Sequence, residues 1–175
     1  MRINEIRIQN FKGFKELTET FDPNFTVFVG ENGSGKTSML EAIAFGLDAW
    51  AVGMGAFPVL EKNRVRIELV GENDANFKEV LPLKVELSGQ ALSRDLTWVI
   101  FDKDGADSEF TKRGNALCDL AFETRKSAGD APSAPYWPIL SFYVANRENK
   151  EGGNSDWNSV LSEKPTRTDA YKNWI

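Results

Sequence analysis

The strongest indication of the fold is a glycine-rich segment, Gly30-Glu31-Asn32-Gly33-Ser34-Gly35-Lys36-Thr37. It fits the phosphate-loop (Walker A) pattern G-x-x-x-x-G-K-[ST] in full. The glycines allow backbone conformations that are closed to other residues, so that successive N–H groups can point into one concavity that suits an anion. The pattern therefore predicts a loop that binds phosphate groups.

The segments on both sides of the loop favour this interpretation over a glycine-rich turn without a ligand. The apolar run Phe25–Val29 precedes the loop and predicts a buried strand. Lys36 to about Trp50 predicts an amphipathic helix. The residues expected on its inward face are Leu40, Ile43, Ala44, Leu47 and Ala51.

The end of the loop carries the side chains with the clearest predicted roles. Lys36 is expected to place a positive charge on the β- and γ-phosphates of ATP, and the hydroxyl of Thr37 is expected to ligate Mg²⁺. The partial positive charge at the start of the following helix adds to the attraction for phosphate.

The composition is that of an ordinary globular protein and excludes several kinds of chemistry. Of 175 residues, 41% are hydrophobic and 27% are charged, which fits one domain or one lobe of a larger one. With no histidine and one cysteine, the chain cannot build a Ser-His-Asp or Cys-His nucleophile, a zinc site with imidazole ligands, or an internal disulfide. Cys118 is predicted to be a small buried apolar residue.

Charge and hydropathy bear on partners and location. The formal net charge of −5 argues against a protein coated in basic residues for nonspecific DNA binding. The sequence contains no apolar stretch that approaches membrane-spanning length, and charges interrupt its first residues. We therefore expect a cytoplasmic protein with no membrane partner.

Residues 1–175 as a whole predict one α/β lobe with a mixed sheet around the phosphate-loop helix. Residues 1–55 hold strands near Ile3–Ile8 and Leu17–Phe21, a turn at Gly13, the loop and the first helix. Residues 60–101 predict an antiparallel meander with a hairpin turn at Ser88–Gln90. The remaining segments are predicted to be a helix over 110–128 with Leu117, Leu120 and Ala121 inward, a linker over 129–136, a core strand over 137–146 and a polar tail over 147–175.

Two segments together resemble a known family. Residues Ile6–Phe14 read IRIQNFKGF and residues Gly30–Ile43 read GENGSGKTSMLEAI. They are similar to the N-terminus of SMC, RecF and OLD-type ATPases of the ABC class. Later segments, among them 138–147, are similar to bacterial AAA-labelled ATPases of the RecF/OLD type, several of which belong to anti-phage systems; the resemblance implies a role in DNA repair or anti-phage defence.

The resemblance implies an ABC-type P-loop lobe that uses ATP and Mg²⁺. It implies that Lys12 lies near the nucleotide and that Asn32 approaches the phosphates. It also implies that a C-terminal lobe or a second copy completes the site, and that the full-length protein acts on DNA. The expected nucleotide-binding residues are Gly30, Glu31, Asn32, Gly33, Ser34, Gly35, Lys36, Thr37, Ser38 and Lys12, with Thr37 as the metal ligand.

The sequence does not supply the catalytic parts of an ABC-type site, and no catalytic residue is identified. Leu87–Gln90 resembles a signature motif but lies within strand patterns. Val99–Asp102 resembles the strand that ends in Asp-Glu, but Lys103 follows. The acidic stretch Asp102–Glu109 does not have EF-hand spacing. We therefore expect the N-terminal portion of a longer ATPase.

Three functional hypotheses follow. The first is a DNA-associated ATPase whose hydrolysis needs a C-terminal half. The second is a nucleotide sensor or scaffold that does not hydrolyse ATP. The third, ranked last, is a small phosphotransferase, for which Arg113 and Arg125 are available but form no dense arginine cluster.

Overall fold

The computed structural model describes residues 1–55, 64–70, 76–103 and 115–128, together with Pro138 and Leu140. The linker, core strand and tail that the sequence predicts after residue 128 lie outside the described residues, apart from these last two. The elements are β1 (Arg2–Phe11), β2 (Phe14–Thr20), α1 (Lys36–Gly53), β3 (Arg66–Val70), β4 (Asn76–Val80), β5 (Leu83–Ala91), β6 (Arg94–Asp102) and α2 (Ala116–Ala128). The predicted α/β class is confirmed, but the described strands form antiparallel sheets and not the predicted mixed sheet.

The main sheet has the strand order β2-β1-β5-β6, with antiparallel neighbours throughout. Successive side chains of a strand point to opposite faces, so alternate residues line up across the sheet. The two buried rows are Ile6, Leu87 and Trp98, and Ile8, Val85 and Ile100. These rows form the sheet side of the hydrophobic core, against which the helices pack.

Helix α1 is buried on more than one side because it contacts both the sheet and α2. The predicted inward positions Ala44 and Ala51 are buried, but Leu40 is 44% exposed, so the prediction for Leu40 is wrong. The largest side chains that α1 buries, Phe45 and Trp50, lie outside the predicted face. A helix with two packing partners does not show one apolar stripe, which explains the error.

Helix α2 begins at Ala116 because Asn115 caps it. The side-chain oxygen of Asn115 accepts hydrogen bonds from the backbone N–H groups of Leu117 (3.1 Å) and Cys118 (3.3 Å). Its side-chain nitrogen donates to the carbonyl of Val99 at 3.1 Å, which ties the start of α2 to β6. The predicted start near residue 110 lies outside the described residues.

The inward side of α2 and the nature of the cysteine are confirmed. Leu117, Leu120 and Ala121 are all buried, as the sequence predicts. Cys118 is a buried free thiol. Gly53 of α1 lies against the Cys118 carbonyl, and a Cβ at Gly53 would lie 2.6 Å from the Cβ of Ala121.

The strands predicted within residues 60–101 are present, but they do not form the predicted meander. β3 pairs with β4 in a separate two-stranded sheet, whereas β5 pairs with both β1 and β6. A meander would pair each strand with the next one along the chain. β5 instead buries alternate residues by pairing with β1 at the centre of the main sheet.

The predicted hairpin turn at Ser88–Gln90 is wrong. β5 continues to Ala91, and the β5–β6 turn lies at Leu92 and Ser93, which both have positive φ. Gly89 lies within the strand, where its Cα packs against the carbonyl of Arg2 and leaves no room for a Cβ. The glycine thus permits close strand approach beside the irregularity of β1 between Ile3 and Glu5. The related prediction that Leu87–Gln90 does not open a helix is confirmed.

The predicted buried strand at Phe25–Val29 is also wrong. The segment belongs to none of the strands, and Phe25, Val27 and Val29 are 77%, 62% and 89% exposed. Phe28 alone among its aromatic residues packs inward, with its ring edge-on to Phe21 at 6.2 Å. An apolar run forms a buried strand when a neighbour satisfies its backbone, and the described part of the chain supplies no strand that pairs with it.

Candidate phosphate-binding site

The loop at residues 30–37 has the backbone geometry that its glycines predict. Gly33 and Gly35 have φ values of 85° and 92°, in the region that side chains rarely adopt. Gly35 is the N-cap of α1, and no side chain caps the helix there. Because the first backbone N–H groups of a helix have no partner within it, these donors are available to an anion.

Lys36 folds back over the loop from the first position of α1. Its ammonium donates to the carbonyl of Gly30 at 2.8 Å, to the carbonyl of Glu31 at 2.7 Å and to the hydroxyl of Ser34 at 3.4 Å. The charge is therefore held against the loop itself. The ammonium therefore lies beside the loop residues for which the sequence predicts phosphate binding.

The other predicted loop residues are open to solvent. Glu31, Asn32, Ser34 and Thr37 are exposed, and Ser38 is half-buried. Thr37 places a hydroxyl oxygen, a hard donor that suits Mg²⁺, at the start of α1. Among the described residues no group of three or more acidic, cysteine or histidine side chains could hold a metal ion. Mg²⁺ at phosphate sites takes few protein ligands besides the phosphates, so the Thr37 hydroxyl fits such a site.

Phe14 is a site residue to which sequence reasoning gave no role. Its ring lies against Gly35, so that a Cβ at Gly35 would be 2.9 Å from the Phe14 Cζ. The β1–β2 hairpin thus supports the end of the loop from the side. The signal in the sequence was an aromatic residue at the end of the IRIQNFKGF segment, but nothing in that segment indicates what the ring touches.

Lys12 is brought to helix α1 by the same hairpin. Its ammonium forms an ion pair with the carboxylate of Glu41, and the two side chains are 32% and 19% exposed. The backbone of Lys12 has φ 47° and donates a hydrogen bond to the Arg64 carbonyl at 2.7 Å. Glu41 was also missed, although it follows Thr37 by four residues and therefore lies on the same helix face.

A turn at Asp22 precedes the apolar segment that leads to the loop. The Asp22 carboxylate accepts hydrogen bonds from the backbone N–H groups of Asn24 (2.8 Å) and Phe25 (3.2 Å). The hydrogen bond from Asn24, followed by that from Phe25, lowers the pKa of Asp22 below its usual range. Asp22 therefore stays ionised in the folded chain to lower pH than an ordinary aspartate.

Comparison with known protein families shows the family to which this chain belongs. A family profile described as "AAA ATPase domain" matches residues 1–93, which is more than half of the 175 residues. The chain belongs to the AAA ATPase domain family. The matched region includes β1, β2, the phosphate loop and α1, so the site described above lies within it.

Relatives in two named protein groups match the N-terminal part of this family member. The DNA replication and repair protein RecF of Lactobacillus acidophilus is 47% identical over 45 residues, which are 26% of this chain and 12% of the relative. RecF of Leptospira interrogans is 49% identical over 43 residues, 25% of this chain and 12% of the relative. The DNA double-strand break repair Rad50 ATPase of Sulfolobus acidocaldarius is 45% identical over 47 residues, 27% of this chain and 5% of the relative.

These matches confirm the predicted resemblance: the N-terminal region is similar to the corresponding region of RecF and Rad50 ATPases. The matched stretch spans about an eighth or less of each relative's length. Neither of the two helices that the structure describes has the length and hydropathy of a membrane-spanning segment.

Proposed function

We propose that this chain binds Mg²⁺-ATP through residues 30–38 as the N-terminal lobe of a DNA-associated ATPase. The observation that carries the proposal is the loop geometry, in which two positive-φ glycines lead into a helix start that no side chain caps. In this site, backbone N–H groups and Lys36 bind the phosphates, and Thr37 offers its hydroxyl to Mg²⁺. The bound metal would neutralise charge on the phosphates.

We further propose that hydrolysis requires a catalytic half that the 175 residues do not supply. Lys103 follows Asp102, the last residue of β6, where an ABC-type site needs a glutamate. The exposed apolar segment Phe25–Val29, directly before the loop, supports the proposal because such a segment is suited to pair with an added strand.

A groove beside Phe25–Val29 also supports the proposal that an added chain binds there. It has a volume of about 440 Å³, and its walls include Phe25 and Phe28, the α1 residues Leu40, Ile43 and Leu47, and Pro138 and Leu140 from the segment predicted as a core strand. This groove lies next to an apolar segment that pairs with no strand among the residues that the structure describes, and it is suited to an extended chain that fills the groove and pairs with the segment. A C-terminal lobe or a second copy would supply that chain.

Association with DNA is proposed from the relatives, whose names place them in DNA replication and repair. Participation in anti-phage defence stays a prediction. The second candidate function is a nucleotide sensor that binds ATP without hydrolysis, and the absence of a catalytic Asp-Glu pair from the 175 residues favours it. Turnover by a longer form of the protein would separate the two candidates.

The test of nucleotide binding is calorimetric titration of Mg²⁺-ATP into the wild-type chain and into Lys36→Ala. We expect saturable binding by the wild type and its loss in Lys36→Ala, because the loop then lacks its full positive charge. Lys15→Ala, which removes an exposed lysine from β2, is the matched control and should bind like the wild type. A cooperatively folded wild-type chain that gives no heat of binding would contradict the proposal.

The same protein samples test the requirement for a catalytic half. We expect no more than trace release of phosphate from ATP by the chain alone. Robust turnover that disappears in Lys36→Ala would show that the 175 residues contain a catalytic group of their own, and would overturn this part of the proposal.

A further inference from the structure

Glu41 stands at a position that the phosphate loop does not explain. It lies one helical turn after Thr37 on α1, so the two side chains share a face, with their Cβ atoms about 5–6 Å apart. Its carboxylate accepts a hydrogen bond from the ammonium of Lys12, which comes from a different element, the β1–β2 turn. The ion pair thus places a second cation beside a residue that lies one turn after the predicted Mg²⁺ ligand.

The backbone of Lys12 is fixed, whereas its side chain needs a partner to be ordered. The Lys12 N–H donates to the Arg64 carbonyl at 2.7 Å, and Arg66 Nη1 donates to the Gly13 carbonyl at 2.8 Å. These bonds hold the turn against the chain at residues 64–66. The four-carbon stem of a lysine remains flexible beyond its backbone, and the Glu41 carboxylate fixes where the ammonium lies.

We propose that Glu41 is a positioning residue that holds the Lys12 ammonium beside the start of α1 for contact with a phosphate oxygen of the bound nucleotide. A lysine ammonium has three donors, so the bond to Glu41 leaves donors for phosphate. The inference rests on the proposed binding of Mg²⁺-ATP. The resemblance already implies that Lys12 lies near the nucleotide, and the inference adds the role of Glu41 in placing its ammonium.

The proposal and simple charge repulsion predict opposite effects of Glu41→Gln on the affinity for ATP. If Glu41 were an acidic residue near a polyanion and nothing more, Glu41→Gln would strengthen ATP binding, because it removes a negative charge. If Glu41 positions Lys12, the same substitution weakens binding, because the ammonium loses its preferred place. In a Lys12→Ala background Glu41 has nothing to position, and the substitution should then leave binding unchanged or strengthen it.

Calorimetric titration of Mg²⁺-ATP measures the direction of this change in affinity. The four proteins are the wild type, Lys12→Ala, Glu41→Gln and the double variant. We expect Glu41→Gln to weaken binding about three- to tenfold, and to lose that effect in the Lys12→Ala background. Glu16→Gln, which removes an exposed carboxylate on β2, is the charge control and should change binding little. Tighter binding by Glu41→Gln, or equal weakening in both backgrounds, would overturn the proposal.

A second measurement separates failure of this inference from failure of ATP binding. Lysines are labelled with an amine-reactive reagent, with and without Mg²⁺-ATP, and modification is quantified by mass spectrometry. We expect ATP to protect Lys36 and Lys12 in the wild type, and to protect Lys36 but not Lys12 in Glu41→Gln at saturating ATP. Exposed Lys15 should label equally in every sample.

Each outcome of the labelling decides something. Protection of Lys36 without protection of Lys12 in the wild type overturns the inference and leaves the proposed function standing. Without nucleotide, Lys12 should label faster in Glu41→Gln than in the wild type, and equal rates would show that the ion pair does not hold the ammonium. If ATP protects neither lysine in the wild type, the proposed function fails and the inference fails with it.

Discussion

Gly35 is the residue at which three requirements of the site meet. It ends the phosphate loop, caps α1 with a φ of 92°, and leaves room for the Phe14 ring. The Walker A pattern predicts a glycine here from the approach of phosphate alone. The ring contact adds a reason that belongs to the folded chain itself, because it links the β1–β2 hairpin to the loop.

We predict that Gly35→Ala destabilises the chain by about 1–2 kcal/mol, the cost of a left-handed conformation for a residue with a Cβ, and weakens ATP binding as well. Displacement of the Phe14 ring, 2.9 Å from the added Cβ, contributes to both effects. Gly13→Ala is the control, since a Cβ at Gly13 would meet nothing within 4 Å. Urea unfolding measures both variants, and equal stability of the two would contradict the assigned strain.

At the scale of single residues, the sequence predicts the phosphate-binding residues of the loop but not the residues that support the loop. Gly33, Gly35 and Lys36 follow from a local pattern, because the motif is contiguous in the chain. Phe14 and Glu41 act across chain separations that no local pattern encodes. Their roles depend on how the hairpin turn is set against α1, which is decided by tertiary packing.

At the scale of elements, the outcome of each prediction depends on where the element finds its partner. β1 and α2 are confirmed because their apolar periodicity reflects contact on one face. The Leu40 prediction is wrong because α1 packs against both the sheet and α2. The strand predicted at Phe25–Val29 is wrong because pairing is a property of two strands, whereas hydropathy reports on one.

We predict that Gly53→Ala destabilises the chain by about 1–3 kcal/mol, the usual range for overpacking. Alanine normally favours a helix interior over glycine by roughly 1 kcal/mol, so the expected sign is the reverse of helix propensity. The added Cβ would meet the backbone carbonyl of Cys118 and the Ala121 Cβ, and α2 would have to move away from α1.

Gly46→Ala on the same helix is the matched control for that effect. There the added Cβ would meet the end of the Leu87 side chain, which can change rotamer more readily than a backbone can shift. Urea unfolding should therefore show a larger loss for Gly53→Ala than for Gly46→Ala. A larger loss for Gly46→Ala would mean that the α1–α2 contact adjusts to an added methyl group more easily than the contact between α1 and the sheet does.

At the scale of the whole molecule, the core and the candidate site differ in how much they depend on the rest of the chain. The rows of buried side chains on β1, β5 and β6 are covered by α1 and α2, so this part has a packed core of its own. The apolar segment before the phosphate loop is instead turned to solvent. This contrast is what an ATPase lobe would show if its core formed independently and its site were completed by an added chain.

The contrast leads to a prediction about a pair of valines. Val27, 62% exposed, should accept Val27→Asp with a change in unfolding free energy within about 0.5 kcal/mol, as surface substitutions usually do. Val85 is 0% exposed at the centre of the sheet. Val85→Asp should lower the free energy of unfolding by more than about 4 kcal/mol, because a carboxylate would be buried without a partner. Urea unfolding of the chain alone measures both. A large loss in Val27→Asp would show that Phe25–Val29 is already paired within the 175 residues, which would remove the structural support for an added strand at this position.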